Sequence, residues 1–305
     1  MIKQNKIAIL LAAYNGKQYI KEQIDSILNQ EDVKVTIFIS IDTSRDGTRE
    51  WIEASYLDNS QIMILEDVGR FGGAAKNFFR LIRDVDFTPY DFIAFADQDD
   101  IWHQDKLSRA IQKLHETKSD GYSSNVLAFW EDGREKLIVK SQPQCQYDYL
   151  FEAAGPGCTY VLTQILAVQI KQCICQKWDL VNTVWLHDWF CYAYARANGF
   201  RWVIDEKPSM RYRQHTNNQV GVNQGLKAFL YRLKKILFGG AIVQAKTIAI
   251  IIGMSEQPFV KEWSSLDKIG FFKLAWHAQK CRRKPKDKYL FFFACLLISI
   301  FGGQK

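Results

Sequence analysis

The tetrapeptide Asp97-Gln98-Asp99-Asp100 sets three carboxylates within four residues. Carboxylates packed at a strand end repel one another, and a hard divalent cation relieves that repulsion through oxygen coordination. Magnesium typically takes one or two carboxylates together with substrate phosphates, so a nucleoside diphosphate would complete such a site. The plain alternative is a solvated acidic loop, and D-x-D alone arises often by chance. The apolar stretch 92–96 before it and Ile101-Trp102 after it speak against a loose surface loop. Two earlier segments carry matching chemistry. Tyr14, in Ala12-Ala-Tyr-Asn-Gly16, offers a ring on which a nucleobase can stack, and Asp42 can accept from a base imide N–H. Their alternatives are a rim aromatic and a turn or cap residue. Further on, Asp188 is a carboxylate able to take a proton from an attacking hydroxyl, or else a helix cap. Arg211 and Arg213 suit phosphate oxygens equally well as they suit an exposed strand.

These residues need a scaffold to bring them together. The apolar run 7–13 ends in Asn15-Gly16 and predicts a parallel strand covered on both faces. Ile20, Ile24, Ile27 and Leu28 recur at helical spacing, predicting a helix over 17–30. Residues 33–41 form a second β-branched run, closed by the turn-rich segment 42–48. A helix from Thr48, a strand over 61–65, a helix over 77–82 and a strand over 91–96 follow. Strands alternating with helices predict an α/β, Rossmann-like architecture with a mostly parallel sheet flanked by helices. Ligands of such sheets bind at the carboxyl ends of the strands, so the polar clusters after strands one, two and four should share one crevice. The remainder reads as helices over 225–238, 240–253 and 264–303, the last interrupted near Pro285. A boundary near 215–225 would divide the chain into units 1–220 and 221–305.

The composition, 48% apolar and 14% aromatic over 305 residues, excludes a disordered or collagen-like chain. The net charge of +7 is unevenly spread. Residues 1–210 carry 23 basic and 29 acidic side chains, whereas residues 211–305 carry 17 and 4. Within 261–288, nine Lys/Arg and three acids interleave with Trp263, Phe271, Phe272, Leu274 and Trp276. Basic residues beside aromatic ones suit a helix on an anionic membrane surface. The alternative is a helical subdomain packed on the core with its lysines in solvent. No nucleic-acid motif accompanies the charge, so no nucleic-acid partner is expected. No apolar stretch approaches the ~20 residues needed to span a bilayer. Lys3 and Lys6 before the run 7–13 imitate a signal peptide, but the run is too short and is expected to be a buried strand. Seven cysteines without regular spacing read as reduced thiols of a cytosolic protein.

Four segments, 12–16, 39–48, 73–78 and 95–102, together resemble the nucleotide-sugar half of a family 2 glycosyltransferase of the GT-A fold. Gly157-Cys-Thr-Tyr160, His187-Asp-Trp189 and Tyr212-Arg-Gln-His215 with Asn217-Asn218 resemble its acceptor half. The resemblance spans roughly residues 5–220 and is nearest to the bacterial rhamnosyltransferase-like branch that builds surface polysaccharides such as O-antigen and capsule. It implies a donor site of Ala12, Tyr14, Asn15, Asp42, Gly73, Lys76, Asn77, Asp97 and Gln98. Tyr14 and Asp42 would hold the base and Asp97 the ribose. Asp99 would bind Mg2+ or Mn2+, with His215 near metal and diphosphate and Arg213 on the diphosphate. Gly157, Thr159, His187 and Trp189 would form the acceptor side, and Asp188 would be the base of an inverting transfer.

The partners implied are a nucleoside-diphosphate sugar, with dTDP-rhamnose foremost, a lipid-linked glycan and an anionic membrane surface. The implied location is cytoplasmic, peripheral at the inner face of the cytoplasmic membrane. Ile41 stands where the family often has a second acid, and Phe71 where it usually has Asn; both bear on base and ribose contacts. A UDP-hexose or UDP-N-acetylhexosamine transferase, and a non-catalytic nucleotide- or glycan-binding protein, remain alternatives. A phosphohydrolase with Asp97 as nucleophile fits poorly, because Asp100-Ile101 follows where that class wants Thr or Val. Two influences oppose each other at Asp188: Trp185, Trp189 and Phe190 desolvate it, while the start of a helix over 188–198 favours its anion.

Overall fold

The computed structural model describes residues 4–215 and 240–301. The boundary expected near 215–225, the helix over 225–238 and the Asn217-Asn218 motif lie outside the described residues.

Strand β1 (Asn5–Ala13) is buried along nearly its whole length, as its unbroken apolar run requires. Ala8, Leu10 and Ala12 face one helical layer, and Ile7, Ile9, Leu11 and Ala13 face the other. On one side β1 pairs in parallel with β2 (Val33–Ile41), which pairs in parallel with β3 (Ile62–Ile64). On its other side it pairs in parallel with β4 (Phe92–Asp97). The sheet continues through β9 (Val161–Thr163), antiparallel to both β4 and β6 (Gly121–Ser124), and ends in β10 (Trp202–Asp205). The order across its seven strands is β10-β6-β9-β4-β1-β2-β3. A second sheet runs β5 (Ile101–Trp102), β11 (Met210–Arg213), β7 (Val126–Phe129) and β8 (Glu135–Ile138). It carries the chain from the carboxylate tetrapeptide to Arg213.

Helices α1 (Ile20–Leu28), α2 (Thr48–Tyr56) and α4 (Lys106–Thr117) bury their apolar residues on one face of the large sheet. Helices α3 (Ala74–Asp84), α5 (Gln164–Gln176) and α7 (His187–Ala197) cover the other, with α6 (Trp178–Val181) between the last two. The sheet flanked by helices agrees with the architecture expected from sequence. Helix α3 begins three residues earlier than the apolar spacing indicated, directly after Gly73. All seven cysteines are free thiols; five are buried and only Cys175 is exposed.

The C-terminal helices are α8 (Gly240–Ile251), α9 (Pro258–Trp263), α10 (Lys268–Trp276), α11 (Ala278–Cys281) and α12 (Pro285–Phe301). The single helix expected over 264–303 is therefore divided at further points. Leu266 takes a left-handed φ of +59°, and Asp267 then caps α10 by accepting from the Gly270 N–H at 2.6 Å. Arg282 is extended, closing α11 before Pro285 starts α12.

These helices join the core of the α3–α5–α7 layer. Tyr147 and Phe259 stack at 3.8 Å, and Phe151 packs against Trp263 and Phe291. A buried ion cluster reinforces the seam. Arg283 donates through Nη1 to Asp148 Oδ2 at 3.1 Å and through Nη2 to the Ala153 C=O at 2.6 Å. Asp148, fully buried, also accepts from the Tyr192 hydroxyl at 2.9 Å and from Arg196 at 3.3 Å. Breaking a buried pair by removing one partner typically costs about 3–5 kcal/mol, because the other charge stays buried. Arg283→Ala is therefore expected to lower the urea midpoint of unfolding markedly. Adding Asp148→Asn should cost less than the sum of the two single effects; strict additivity in this double-mutant cycle would refute the coupling.

Candidate active site

The loops after β1, β2 and β4 are tied to one another by polar side chains that bind backbone. Gln98 accepts from the Tyr14 N–H at 2.7 Å through Oε1 and donates to the Tyr14 C=O at 2.9 Å through Nε2. A Cβ on Gly16 would fall 2.2 Å from Gln98 Oε1, so a side chain there would have to displace the Gln98 amide that binds Tyr14. Asn15 donates its N–H to Ser44 Oγ at 3.0 Å and accepts from the Arg45 N–H at 2.8 Å. Thr48 Oγ1 accepts from the Gly16 N–H at 2.9 Å and the Lys17 N–H at 3.2 Å. Asp42 is buried and accepts from the N–H groups of Phe71 and Gly72, both at 2.9 Å, which anchors the glycine loop. Asn77, also buried, donates to the carbonyls of Ser40 at 3.0 Å and Ala13 at 3.4 Å.

The residues expected at the donor thus converge. Asp42, Asn77 and Gln98 brace the crevice with their side chains. Tyr14 is 50% exposed, and Lys76 is exposed on the first turn of α3, where Gly73 is the residue before the helix. Ala12 pairs with Asp97 across the β1–β4 ladder.

At the end of β4 the carboxylates crowd. Burial pushes Asp97 up to about 7, with Asp99 and Asp188 adding to the shift. Burial raises Asp100 well above the usual range, again reinforced by Asp99 and Asp97. Asp100 Oδ1 accepts from the Arg213 N–H at 3.1 Å. Asp97, Asp100 and Cys158 form a knot whose ligating atoms all lie within 4.8 Å of one another. Burial keeps the Cys158 thiol protonated. Burial also lowers the fully buried Lys106, to about 8, with its Nζ 4.1 Å from the centre of the Trp102 ring.

Asp99 Oδ2 meets His215 Nε2 at 2.7 Å, and the His215 ring stacks on Tyr19 at 5.2 Å. Arg213 donates through Nε to the Asp99 C=O at 2.8 Å and pairs with Glu22. Its guanidinium lies 4.6 Å from the Tyr19 ring and 4.7 Å from the Phe129 ring. Arg211, by contrast, is the strand's outward arginine, bound to Glu135 at 3.0 Å. Carboxylates that raise one another's proton affinity, with a carboxylate–imidazole pair beside them, make a donor set that fits a divalent cation such as Mg2+ or Mn2+.

Asp188 lies in the first turn of α7, and its Oδ1 accepts from the Trp189 N–H at 2.7 Å. Of the two influences opposed at this residue, burial prevails: it raises Asp188 to about 6 against the lowering effect of the helix-end amides. The turn Gly157–Thr159 lies directly against it. A Cβ on Gly157 would sit 2.5 Å from His187 Nε2 and 3.2 Å from Asp188 Cβ. His187 stacks on Phe78 at 3.8 Å, and burial lowers it to about 3, so its ring is neutral. Trp189 is buried and donates through Nε1 to the Tyr149 C=O at 3.0 Å. Thr159 is fully buried, its hydroxyl turned back onto the Pro156 C=O at 2.7 Å. Gly157, His187 and Asp188 therefore meet, while Trp189 and Thr159 brace them from behind.

Tyr19, Glu22, Cys158 and Lys106 join the site without having been assigned to it from sequence. Cys158 lies inside the Gly157 motif, where a polar neighbour of the carboxylates was there to be found. Glu22 reaches Arg213 across 191 residues, and no local pattern announces that meeting.

Residues 8–156 match the sequence profile described as glycosyl transferase family 2. The chain is 44% identical to the dTDP-rhamnosyl transferase RfbG of Shigella flexneri over 292 residues, 95% of this chain and 100% of that one. It is 22% identical to the amylovoran biosynthesis glycosyltransferase AmsB of Erwinia amylovora, over 70% of this chain and 72% of AmsB. It is 27% identical to the UDP-Glc:alpha-D-GlcNAc-diphosphoundecaprenol beta-1,3-glucosyltransferase WfaP of Escherichia coli, over 51% and 59%. Among solved structures, S. aureus TarS 1–349 in complex with UDP-GlcNAc aligns with a TM-score of 0.55 at 14% identity, covering 96% of this chain and 89% of TarS. The mannosyltransferase PcManGT of Pyrobaculum calidifontis, in complex with GDP-Man and Mn2+, aligns with a TM-score of 0.53 at 13% identity, covering 99% and 89%. At those identities the two structures speak for the fold, which is GT-A. With a relative this similar along its full length, and with the loops of β1, β2 and β4 gathered on one carboxylate crevice, the chain belongs to glycosyl transferase family 2 and is a glycosyltransferase.

Proposed function

We propose that this glycosyltransferase moves rhamnose from dTDP-rhamnose to a hydroxyl of a lipid-linked glycan in surface-polysaccharide synthesis, inverting the anomeric centre. The observation that carries the donor is the 44% identity to a dTDP-rhamnosyl transferase along that protein's whole length. A lipid-linked acceptor is supported by WfaP, whose name specifies a diphosphoundecaprenol-linked sugar. In this reading residues 1–220 are the catalytic unit, and residues 221–305 bring it to the inner face of the cytoplasmic membrane. Among the described residues no helix is long and apolar enough to cross a membrane.

The chain's own groups divide the work. Tyr14 offers the nucleobase a ring to stack on, beside the Asp42-anchored glycine loop, and Asp97 faces the ribose. Asp99 and His215 would hold Mg2+ or Mn2+, which supplies charge neutralisation for the departing diphosphate. The acceptor oxygen attacks the anomeric carbon as its proton passes to the Asp188 carboxylate. The bond from that carbon to the β-phosphate oxygen breaks, and its electron pair leaves with the diphosphate. Attack opposite the leaving group inverts the centre. A carboxylate raised to about 6 is ionised at neutral pH yet more basic than an ordinary aspartate, which suits a general base. Gly157 keeps His187 and Asp188 close to the sugar-facing turn.

Donor identity can be read from thermal stabilisation, since a ligand that binds only the folded state raises its melting temperature. In the presence of Mg2+ or Mn2+, dTDP-rhamnose is expected to stabilise the enzyme more than UDP-glucose, UDP-GlcNAc or GDP-mannose. A larger shift with a uridine or guanosine donor overturns the rhamnose assignment. In Asp99→Asn the metal-dependent part of donor binding should disappear; unchanged metal dependence in a donor titration would place the cation elsewhere.

Asp188→Asn is expected to lower kcat by about 10²–10⁴-fold, the range of general-base contributions, with donor affinity nearly intact. The sign of the pH effect follows from the raised pKa. Only the ionised carboxylate accepts a proton, so the wild-type rate should fall about tenfold per pH unit below about 6. Turnover near the wild-type rate in Asp188→Asn would show that another group takes the proton.

A further inference from the structure

Helices α10 and α12 lie side by side and antiparallel: Lys268 Nζ, at the start of α10, reaches the Ile300 C=O, at the end of α12, at 3.4 Å. One face of each helix is committed to protein, through Phe271 and Leu274 on α10 and Phe291 and Cys295 on α12. The opposite faces are not polar, as surface helices ordinarily are. Ile269, Phe272 and Trp276 recur at helical spacing on α10, and Phe293, Leu297 and Ile300 on α12, all of them exposed. Trp276 is 75% exposed, a state a large indole adopts at a cost in water. Phe272 stacks on Trp276 at 6.1 Å, and Trp276 meets Phe292 of α12 at 6.3 Å, so the two apolar stripes join into one surface. Exposed Lys268, Lys273, Lys280, Lys284 and Lys286 accompany it. The only acid within residues 268–301 is Asp287, and it sits 3.8 Å from Arg282.

We propose that the α10–α12 hairpin is an in-plane membrane anchor. Its apolar surface enters the headgroup–acyl boundary of an anionic bilayer while the lysines meet lipid phosphates. The inference deepens, and rests on, the reading that the acceptor is lipid-linked, by naming the surface that finds the lipid. A spanning arrangement is excluded for this pair, because one face of each helix is fixed in the core. A second copy of the chain is a poorer occupant. A two-fold interface on this patch would bring one lysine set against the other, whereas anionic phosphates complement both the charge and the apolar stripe.

The test uses the full chain and vesicles of phosphatidylcholine with or without phosphatidylglycerol. The protein is expected to sediment with the anionic vesicles, to be partly released by salt, and to show quenching of tryptophan emission by acyl-brominated lipid. That quenching should drop in Trp276→Ser. The triple variant Phe272→Ser, Trp276→Ser, Phe293→Ser should bind anionic vesicles at least about tenfold more weakly. Lys268→Gln with Lys273→Gln and Lys280→Gln should lose the salt-sensitive part. Both variants change exposed side chains, and an unchanged melting temperature confirms that they fold; if the triple variant does not, the lysine variant and Trp276→Ser decide. Wild-type protein that stays in the supernatant, or variants that sediment equally well, would refute the anchor. So would a concentration-dependent dimer that the triple variant dissolves, since the occupant would then be a second copy. Transfer to a water-soluble acceptor fragment should be unaffected by the triple variant. Failure of dTDP-rhamnose to stabilise the enzyme would strike the donor assignment and leave vesicle binding standing.

Discussion

Asp97 and Asp100, at the end of β4, have their proton affinity raised by burial and by neighbouring carboxylates, Asp99 acting on both and Asp188 on Asp97. Repulsion of that kind would splay ordinary surface loops apart. Here the loops are bound largely by groups that carry no charge of their own: the amides of Gln98, Asn15 and Asn77 and the hydroxyl of Thr48. Asp42 and Asp46, the ionisable groups among these ties, face backbone N–H groups. Amide ties hold position without supplying counter-charge, which preserves the cluster's demand for a cation. Of the cations nearby, Arg213 pairs with Glu22, Lys106 lies over an indole ring with its charge disfavoured by burial though it still acts on Asp100, and Lys140 acts on Asp188. Strand β1, buried from Ile7 to Ala13 and paired on both sides, is the floor on which this arrangement stands.

Much of that was legible before any coordinates. The apolar run of β1 ends at Tyr14 and that of β2 at Asp42, and strand alternation alone implied that their loops would meet the acidic tetrapeptide. Such inferences succeed because they rest on short-range periodicity and a general rule of parallel sheets. What escaped depends on long-range contact. The second sheet is built of strands two to four residues long, too short for period-two patterning to register. Arg213 gave equal warrant as a phosphate ligand or an exposed strand residue. Its partners Glu22 and Tyr19 belong to the opposite end of the chain, and only folding shows it to be a strut beneath Asp99. At Asp188 the signs of both influences were readable, but their balance depends on how deeply the fold buries the carboxylate.

The basic tail shows the same limit. Residue counting treats the run 280–288 as one electrostatic patch, yet the structure sorts it by residue type. Arg282 and Arg283 turn inward, to Phe151, Asp148 and Glu152, where the guanidinium fork satisfies several acceptors at once. The lysines at 280, 284 and 286 stay outside. The arginines fasten the tail to the catalytic core, and the lysines are what remains for a partner. The same segment 148–153 that receives Arg283 leads into the Gly157 turn beside Asp188, so the attachment of the tail and the shape of the acceptor side are mechanically continuous.

The thiol at the centre of the carboxylate knot has a chemical corollary. Cysteine reacts as its thiolate, and Cys158 is held as the neutral thiol by burial and by Asp100 and Asp97. Oxidants and alkylating agents therefore meet a residue at the heart of the crevice that is both hidden and unreactive. Cys175, exposed near the end of α5, is the thiol that solvent reaches first. A maleimide dye attached there would report on the molecule without entering its chemistry, and loss of activity under mild oxidation would have to begin somewhere other than the crevice.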